Sequence, residues 1–196
     1  MMRNLRPALV LFAAFTLLTG VAYPLLVTGA AGALFAWRAQ GSVLAVRGRP
    51  VGSALIGQAF SAPRYFWGRP SATSPLPYDG LASGGSNLGP TNPAGLAAVK
   101  SAVQALRRAD PAEGHRPVPV DLVTASGSGL DPDISLAAAD YQLARVAQAR
   151  HMPEAAVRRL LDAQARRPWL GLFGEPRVNV LELNLALDGL HPVHLR

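Results

Sequence analysis

Residues 7–37, PALVLFAAFTLLTGVAYPLLVTGAAGALFAW, run for 31 positions without an Asp, Glu, Lys, Arg or His. A bilayer core of roughly 30 Å is crossed by about 20 apolar helical residues, and residues 9–34 exceed that. Trp37 and Arg38 close the run as an interfacial anchor would. The competing reading is a cleaved signal peptide, with Arg3 and Arg6 as its basic start and the small residues 28–33 as its cleavage region. Signal cores usually run about 7 to 15 residues, and residues 9–27 are already longer. The sequence therefore predicts a retained transmembrane anchor over residues 1–37. Its orientation stays open, because Arg3 and Arg6 stand against Arg38, Arg47 and Arg49, close to a tie by the positive-inside count. Within the span, Thr16, Gly20 and Pro24 recur every four residues. Either another membrane helix approaches closely there, or these are residue types common in such helices.

Working outward, the charge pattern changes meaning. The 196-residue chain has a net charge of +7 and a sequence pI near 11.0, which invites a nucleic-acid reading. Of its 19 basic residues only Lys100 is lysine, so the pI reflects arginine's high intrinsic pKa on a moderate surplus. The first carboxylate is Asp79, so any basic field belongs to the first 78 residues. There is no cysteine, which excludes disulfides, thiolate nucleophiles and cysteine-held metals.

Residues 38–196 carry no second long apolar run and read as a single α/β mixed (α+β) domain behind the anchor. Short apolar stretches broken by Gly41, Gly48, Gly52 and Gly57 predict brief strands between residues 42 and 60. Residues 61–93, with six prolines and a Gly/Ser cluster, predict a long loop. Order is expected in it, because Tyr65, Phe66 and Trp67 place three of the 13 aromatics side by side. Asn92 followed by Pro93 is a cap and a first helical position, predicting a helix to about Arg108 with Leu96, Val99, Val103 and Leu106 as its apolar stripe. Residues 117–124 (PVPVDLVT) have strand composition. Asp131 and Pro132 repeat the cap signal for a helix over 133–150, and a second helix is predicted over 153–166. Residues 177–187 (RVNVLELNLAL) alternate as a half-buried strand.

Chemistry-bearing constellations are sparse. His115, His151, His191 and His194 have no carboxylate partner at metal-ligand spacing, so no metal and no catalytic residue is expected. Two small-residue runs, 83–89 and Ser126, Gly127, Ser128, Gly129, could cradle an anion, yet neither has the lysine of a phosphate-binding loop, and turns need small residues too. Residues 144–164 look like a helix-turn-helix bearing Arg158 and Arg159, but they sit between strands behind an anchor, and core packing is the expected use.

The loop segments resemble a known family. Residues 52–58 (GSALIGQ), 65–71 (YFWGRPS), 78–80 (YDG), 82–93 (ASGGSNLGPTNP), 118–135 (VPVDLVTASGSGLDPDIS) and 175–184 (EPRVNVLELN) look like the C subunit of the Kdp potassium-transporting ATPase, over essentially the whole chain. The resemblance implies a single-span subunit of the bacterial inner membrane, N-terminus cytoplasmic and folded domain extracytoplasmic, in contact with membrane lipid and with no nucleic-acid partner. Its partners would be a channel-like potassium-binding subunit, a P-type ATPase subunit and a small single-helix subunit. It implies no cofactor of its own, ATP and potassium being handled by the complex. The implied function is non-catalytic support of assembly and stability. The alternative is a catalytic chaperone that raises ATP affinity of the ATPase subunit, for which the run 126–129 is the candidate contact. For the loop, Phe66, Trp67, Arg69, Ser83, Gly84, Gly85, Asn87 and Asn92 are the candidate partner contacts, since Tyr, Trp and Arg are enriched at interface hot spots. The rival reading is that the loop caps the domain's own core.

Overall fold

The charge-free run lies in a helix over Leu5–Leu34, 30 residues whose most apolar stretch has a mean hydropathy of 2.1 and is covered by no other part of the chain. At 1.5 Å per residue it is roughly 45 Å long, enough to cross a bilayer. The computed structural model describes residues 4–112, 114–168, 171 and 174–194, so Arg3 lies outside the described residues. The span is not one regular helix. Helix α1 (Leu5–Leu17) passes through a π-turn (Leu18–Ala22) into α2 (Tyr23–Leu34). Pro24 explains the turn: it has no N–H for the carbonyl of Gly20, and its ring would clash with that carbonyl in a regular helix. A wider i→i+5 turn relieves both. A short helix α3 (Ala36–Ala39) follows, and Trp37 donates its indole N–H to the Val43 carbonyl at 3.0 Å while stacking on His194 at 3.8 Å.

The chain forms two compact units, one of the first 43 residues with the C-terminal end and one of residues 44–193. Strands β1 (Val43–Val46) and β2 (Arg49–Ser53) form a hairpin. Its two-residue turn puts Arg47 at φ 52° and Gly48 at φ 77°, the left-handed pair such turns require. Strand β5 (Val193–His194) lies on the other side of β1, giving the order β2-β1-β5. Residues 61–92 contain no helix or strand, as the Pro and Gly content predicts, and the strands expected as far as residue 60 already end at Ser53. Helix α4 (Pro93–Ala109) follows, and Asn92 caps it by accepting from the Ala94 N–H at 2.9 Å.

The core is built around helix α5 (Leu136–Arg150), with helix α6 (Glu154–Gln164), strands β3 (Asp133–Ser135) and β4 (Arg177–Asn179), and helix α7 (Val180–Leu187) packed on it. Strands β3 and β4 pair antiparallel, Ile134 opposite Val178. The α5–α6 hairpin buries Val146, Val157 and Leu161, while Arg158 pairs with Asp140 and Arg159 donates to its own helix. Mixed helix and sheet behind one apolar helix is therefore the observed class, with small sheets.

Three expectations are corrected. Residues 117–124 are not a strand, because Pro117 and Pro119 cannot donate to a ladder; the segment makes a 3₁₀ turn (Val120–Leu122) whose Asp121 accepts from the Ser135 N–H at 2.7 Å. The helix predicted from residue 133 begins at Leu136. Asp131 accepts from the Asp133 N–H within an extended turn, and Ser135 is the working cap, accepting from the Ala138 N–H at 3.1 Å. The strand predicted over 177–187 stops at Asn179 and becomes α7. Its leucines alternate because nearly the whole helix is buried, a pattern that period alone cannot assign. Leu, Ala and Glu favour helix, and Asn179 caps it by accepting from the Glu182 N–H at 3.1 Å.

Asn179 also donates to the Ala54 carbonyl at 2.9 Å and is 1% exposed. Asn179→Ala is therefore expected to cost about 2–3 kcal/mol, against about 1 kcal/mol for Ser135→Ala, which removes only a cap. Urea denaturation of the full chain in detergent measures the difference.

Candidate functional site

The aromatic loop lacks a ladder, so its backbone must be satisfied by side chains, and two buried amides do this. The Asn184 carboxamide accepts from the Phe66 N–H at 2.9 Å and donates to the Phe66 carbonyl at 3.0 Å. The Gln142 carboxamide treats the next residue the same way, accepting from the Trp67 N–H at 2.8 Å and donating to its carbonyl at 3.1 Å. Gln142 and Asn184 are 1% and 2% exposed. On the same helix as Gln142, Arg145 donates to the Pro63 carbonyl, to the Tyr65 carbonyl at 3.1 Å and to Gln142 Oε1 at 2.7 Å, and its guanidinium covers the Trp67 ring at 4.4 Å. Burial pushes the Arg145 pKa down to about 10, partly offset by Asp110. Arg150 donates to the Arg64 carbonyl at 2.6 Å and to Asp188 at 2.8 Å, and Tyr65 donates its hydroxyl to the same carboxylate. Five consecutive residues, 63–67, are thereby fastened to α5 and α7.

The next stretch is fastened to the turn at 125–131. Arg69 bonds the Asp131 carboxylate at 3.2 Å and the Ala125 carbonyl at 3.3 Å. Tyr78 donates its hydroxyl to the Arg69 carbonyl, and burial together with Asp131 pushes its pKa up to about 12. Gly57 and Gly68 make room for Tyr78: a Cβ at Gly57 would stand 2.3 Å from the ring, and one at Gly68 2.8 Å from the hydroxyl. The two small-residue runs pack against each other. Ser83 Oγ and the Gly84 N–H both donate to the Ser128 carbonyl, Ser71 Oγ donates to the Gly129 carbonyl at 2.7 Å, and a Cβ on Gly129 would lie 2.6 Å from the Gly84 carbonyl. Gly129 is the residue that this close backbone approach requires.

The family model described as K+-transporting ATPase, c chain matches residues 5–189. The chain belongs to this family. Curated relatives named potassium-transporting ATPase KdpC subunit are 64% identical over 194 residues in Polaromonas naphthalenivorans, covering 98% of both chains, and 63% identical over 188 residues in Methylibium petroleiphilum, covering 96% of this chain and 98% of the relative. A third, from Sorangium cellulosum, is 64% identical over 189 residues, covering 96% and 99%.

Within this KdpC family chain, the candidate contacts divide. Phe66 is fully buried in the core, so its side chain presents no surface in this fold. Trp67 is half-buried, its indole N–H donating to the Ala62 carbonyl at 3.1 Å, and Arg69 is occupied by Asp131. Ser83, Gly84 and Gly85 face the 126–129 turn, Asn92 caps α4, and Asn87 is exposed at φ 52°. What the loop does turn outward is leucine: Leu76, Leu81 and Leu88 are 66%, 100% and 44% exposed. The run 126–129 is not at a helix N-terminus, since β3 intervenes before α5. Thr16, Gly20 and Pro24 bracket the π-turn, and nothing stands within 4 Å of a Cβ built on Gly20. No group of three or more His, Cys, Asp or Glu able to hold a metal occurs among the described residues. Sequence reasoning missed Gln142, Arg145, Arg150 and Asn184. Their signal was faint: polar residues on helices whose neighbours are otherwise apolar. The arrangement fixes a shape; the polar groups just described are committed to the chain's own backbone.

Removing either amide strands two buried backbone groups. Gln142→Ala and Asn184→Ala are each expected to cost about 2–4 kcal/mol, and the double variant less than their sum, because both hold one segment; denaturation midpoints give the comparison. Tyr78 supplies a pH signature. Its neutral form is favoured in the fold, so stability it contributes is lost as pH rises from 10.0 to about 12. Phenolate absorbance is expected to show a late component near pH 12 that Tyr78→Phe removes.

Proposed function

We propose that this chain is a non-catalytic accessory subunit of a potassium-transporting ATPase complex, held in the bacterial inner membrane by Leu5–Leu34 and supporting assembly and stability of its channel-like, P-type ATPase and single-helix partners. The observation that supports this is family membership across the chain, joined to a long loop whose shape is locked from within. A loop with its backbone satisfied internally meets a partner at a small entropic cost. In this reading the N-terminus is cytoplasmic, the domain is extracytoplasmic, and ATP and potassium are handled by other subunits.

The second reading, a chaperone that raises ATP affinity of the ATPase subunit, needs an anion cradle. The 126–129 turn gives it little support, because the Ser128 and Gly129 carbonyls and the Gly129 N–H are engaged within the domain. It also needs the domain on the ATP side of the membrane or coupling through the span.

The chain has no native cysteine, so a single introduced one is uniquely addressable. Ala155→Cys, on the exposed side of α6, is expected to react with a membrane-impermeant maleimide in cells whose outer membrane alone is permeabilised. Labelling only after the inner membrane is opened would overturn the extracytoplasmic placement. Affinity purification of the tagged chain is expected to recover the other subunits, and recovery of the chain alone from solubilised membranes would overturn complex membership.

A further inference from the structure

Helix α4 leaves half of its apolar stripe uncovered. Leu106, at one end, is buried in the core, Val99 and Val103 are half-buried, and Leu96, at the other end, is 57% exposed. Beside that open half lies a groove of about 420 Å³ walled by Pro70, Leu88, Leu96, Val99, Ala102 and Val123. No charged side chain lines it. A cavity of this size and apolar character is in the range of binding pockets.

The charge around it is one-sided. From Gly80 to Ala109 there is no carboxylate, and the three cations, Lys100, Arg107 and Arg108, all lie on α4. Lys100 is four residues after Leu96 and Arg107 seven after Lys100, so both follow Leu96 along one line of the helix. None of the three makes an ion pair among the described residues. Most other cations of the unit are used internally: Arg69, Arg145, Arg150, Arg158, Arg166 and Arg177 all bond carboxylates or carbonyls of the chain.

We infer that this groove is the docking site for a protein segment of a neighbouring subunit that inserts a large apolar side chain against Leu88, Leu96 and Val99 and sets a carboxylate on Lys100. This rests on the accessory-subunit reading and adds to it the place of contact and the chemistry of the partner. The uncharged groove excludes an ionic group at its floor, where a charge would be desolvated unpaired. Lys100, one turn from Leu96, selects an acidic neighbour and repels a basic one. The wall is preformed, because Ser71, next to Pro70, is fastened to Gly129 and Asn92 caps the helix that carries Leu96.

Lys100, the only lysine, makes the test sharp. In the purified complex, a water-soluble carbodiimide activates a carboxylate, and the Lys100 amine then forms an amide with it as the carbodiimide leaves as its urea. Mass spectrometry is expected to find the Lys100 peptide joined to an Asp or Glu of another subunit. Lys100→Arg is expected to abolish that product while leaving the complex intact. Leu96→Asp, at an exposed position where the fold has little to lose, is expected to lower recovery of the complex about tenfold, with Ala155→Asp on α6 as the unaffected control. A wild-type complex that co-purifies but gives no Lys100 product, with Leu96→Asp neutral, overturns the inference and leaves the accessory-subunit reading standing. A product joining two copies of this chain, or loss of anionic phospholipid vesicle binding as the only effect of Leu96→Asp, assigns the groove to another occupant and also overturns it. Failure of the wild-type chain to co-purify with any subunit defeats the accessory-subunit reading itself.

Discussion

Two carboxamides hold the domain's least regular segment. Asn184 on α7 and Gln142 on α5 each pair with both backbone groups of one loop residue, Phe66 and Trp67, as a neighbouring strand would. An amide side chain carries a donor and an acceptor at the spacing of a peptide group, so two of them imitate a short ladder where no strand is available. Burial raises the stakes, since each backbone group they satisfy would otherwise lie unpaired away from water. With Phe66 fixed in the core, the chain on either side inherits its position: Pro63, Arg64 and Tyr65 through Arg145 and Arg150, and Arg69 through Asp131.

The arginine content takes on a different meaning in that light. A guanidinium offers five donors in a planar fork and no acceptor, which suits a loop with many carbonyls and no strand to receive them. Arg69, Arg145 and Arg150 donate between them to the Ala125, Pro63, Tyr65, Arg64 and Leu187 carbonyls. Lysine, a compact and strongly hydrated point charge, would serve this poorly, and the chain has only one. Three of the 18 arginines thus serve to tie the loop down, and the cations of α4 are not used this way.

How much of this was legible depends on whether the signal was local. The span, the structureless stretch and α4 with its Asn92–Pro93 start follow from runs, prolines and caps read over a few residues. Residues 180–187 failed because a fully buried helix rich in leucine and a half-buried strand share the alternation, and only Asn179 reaching the Glu182 N–H separated them. The loop was found but not its facing: Phe66 is buried while Trp67 and Arg69 are half-buried and bonded within the domain, since a large ring with an arginine beside it suits an interior that has carbonyls to satisfy as well as it suits an interface. The partners that settle the facing lie 75 and 118 residues away. No spacing rule reaches that far.

The burial of Phe66 leaves other side chains on the outward face. The outward face from Pro70 to Val99 carries leucines and one carboxylate, Asp79, which the Leu81 N–H already engages. Exposed leucines on a mobile loop would hide against one another; on a loop whose backbone is pinned at 63–69, at Ser71 and at Gly84 they stay displayed. In the proposed contact this rigidity is what suits the apolar surface to a partner, because the ordering cost is met when the domain folds and not again on association. The Ser71–Gly129 bond and the Asn92 cap fix the position of the wall, and the exposed end of α4 at Leu96 leaves it open to a partner in the proposed contact.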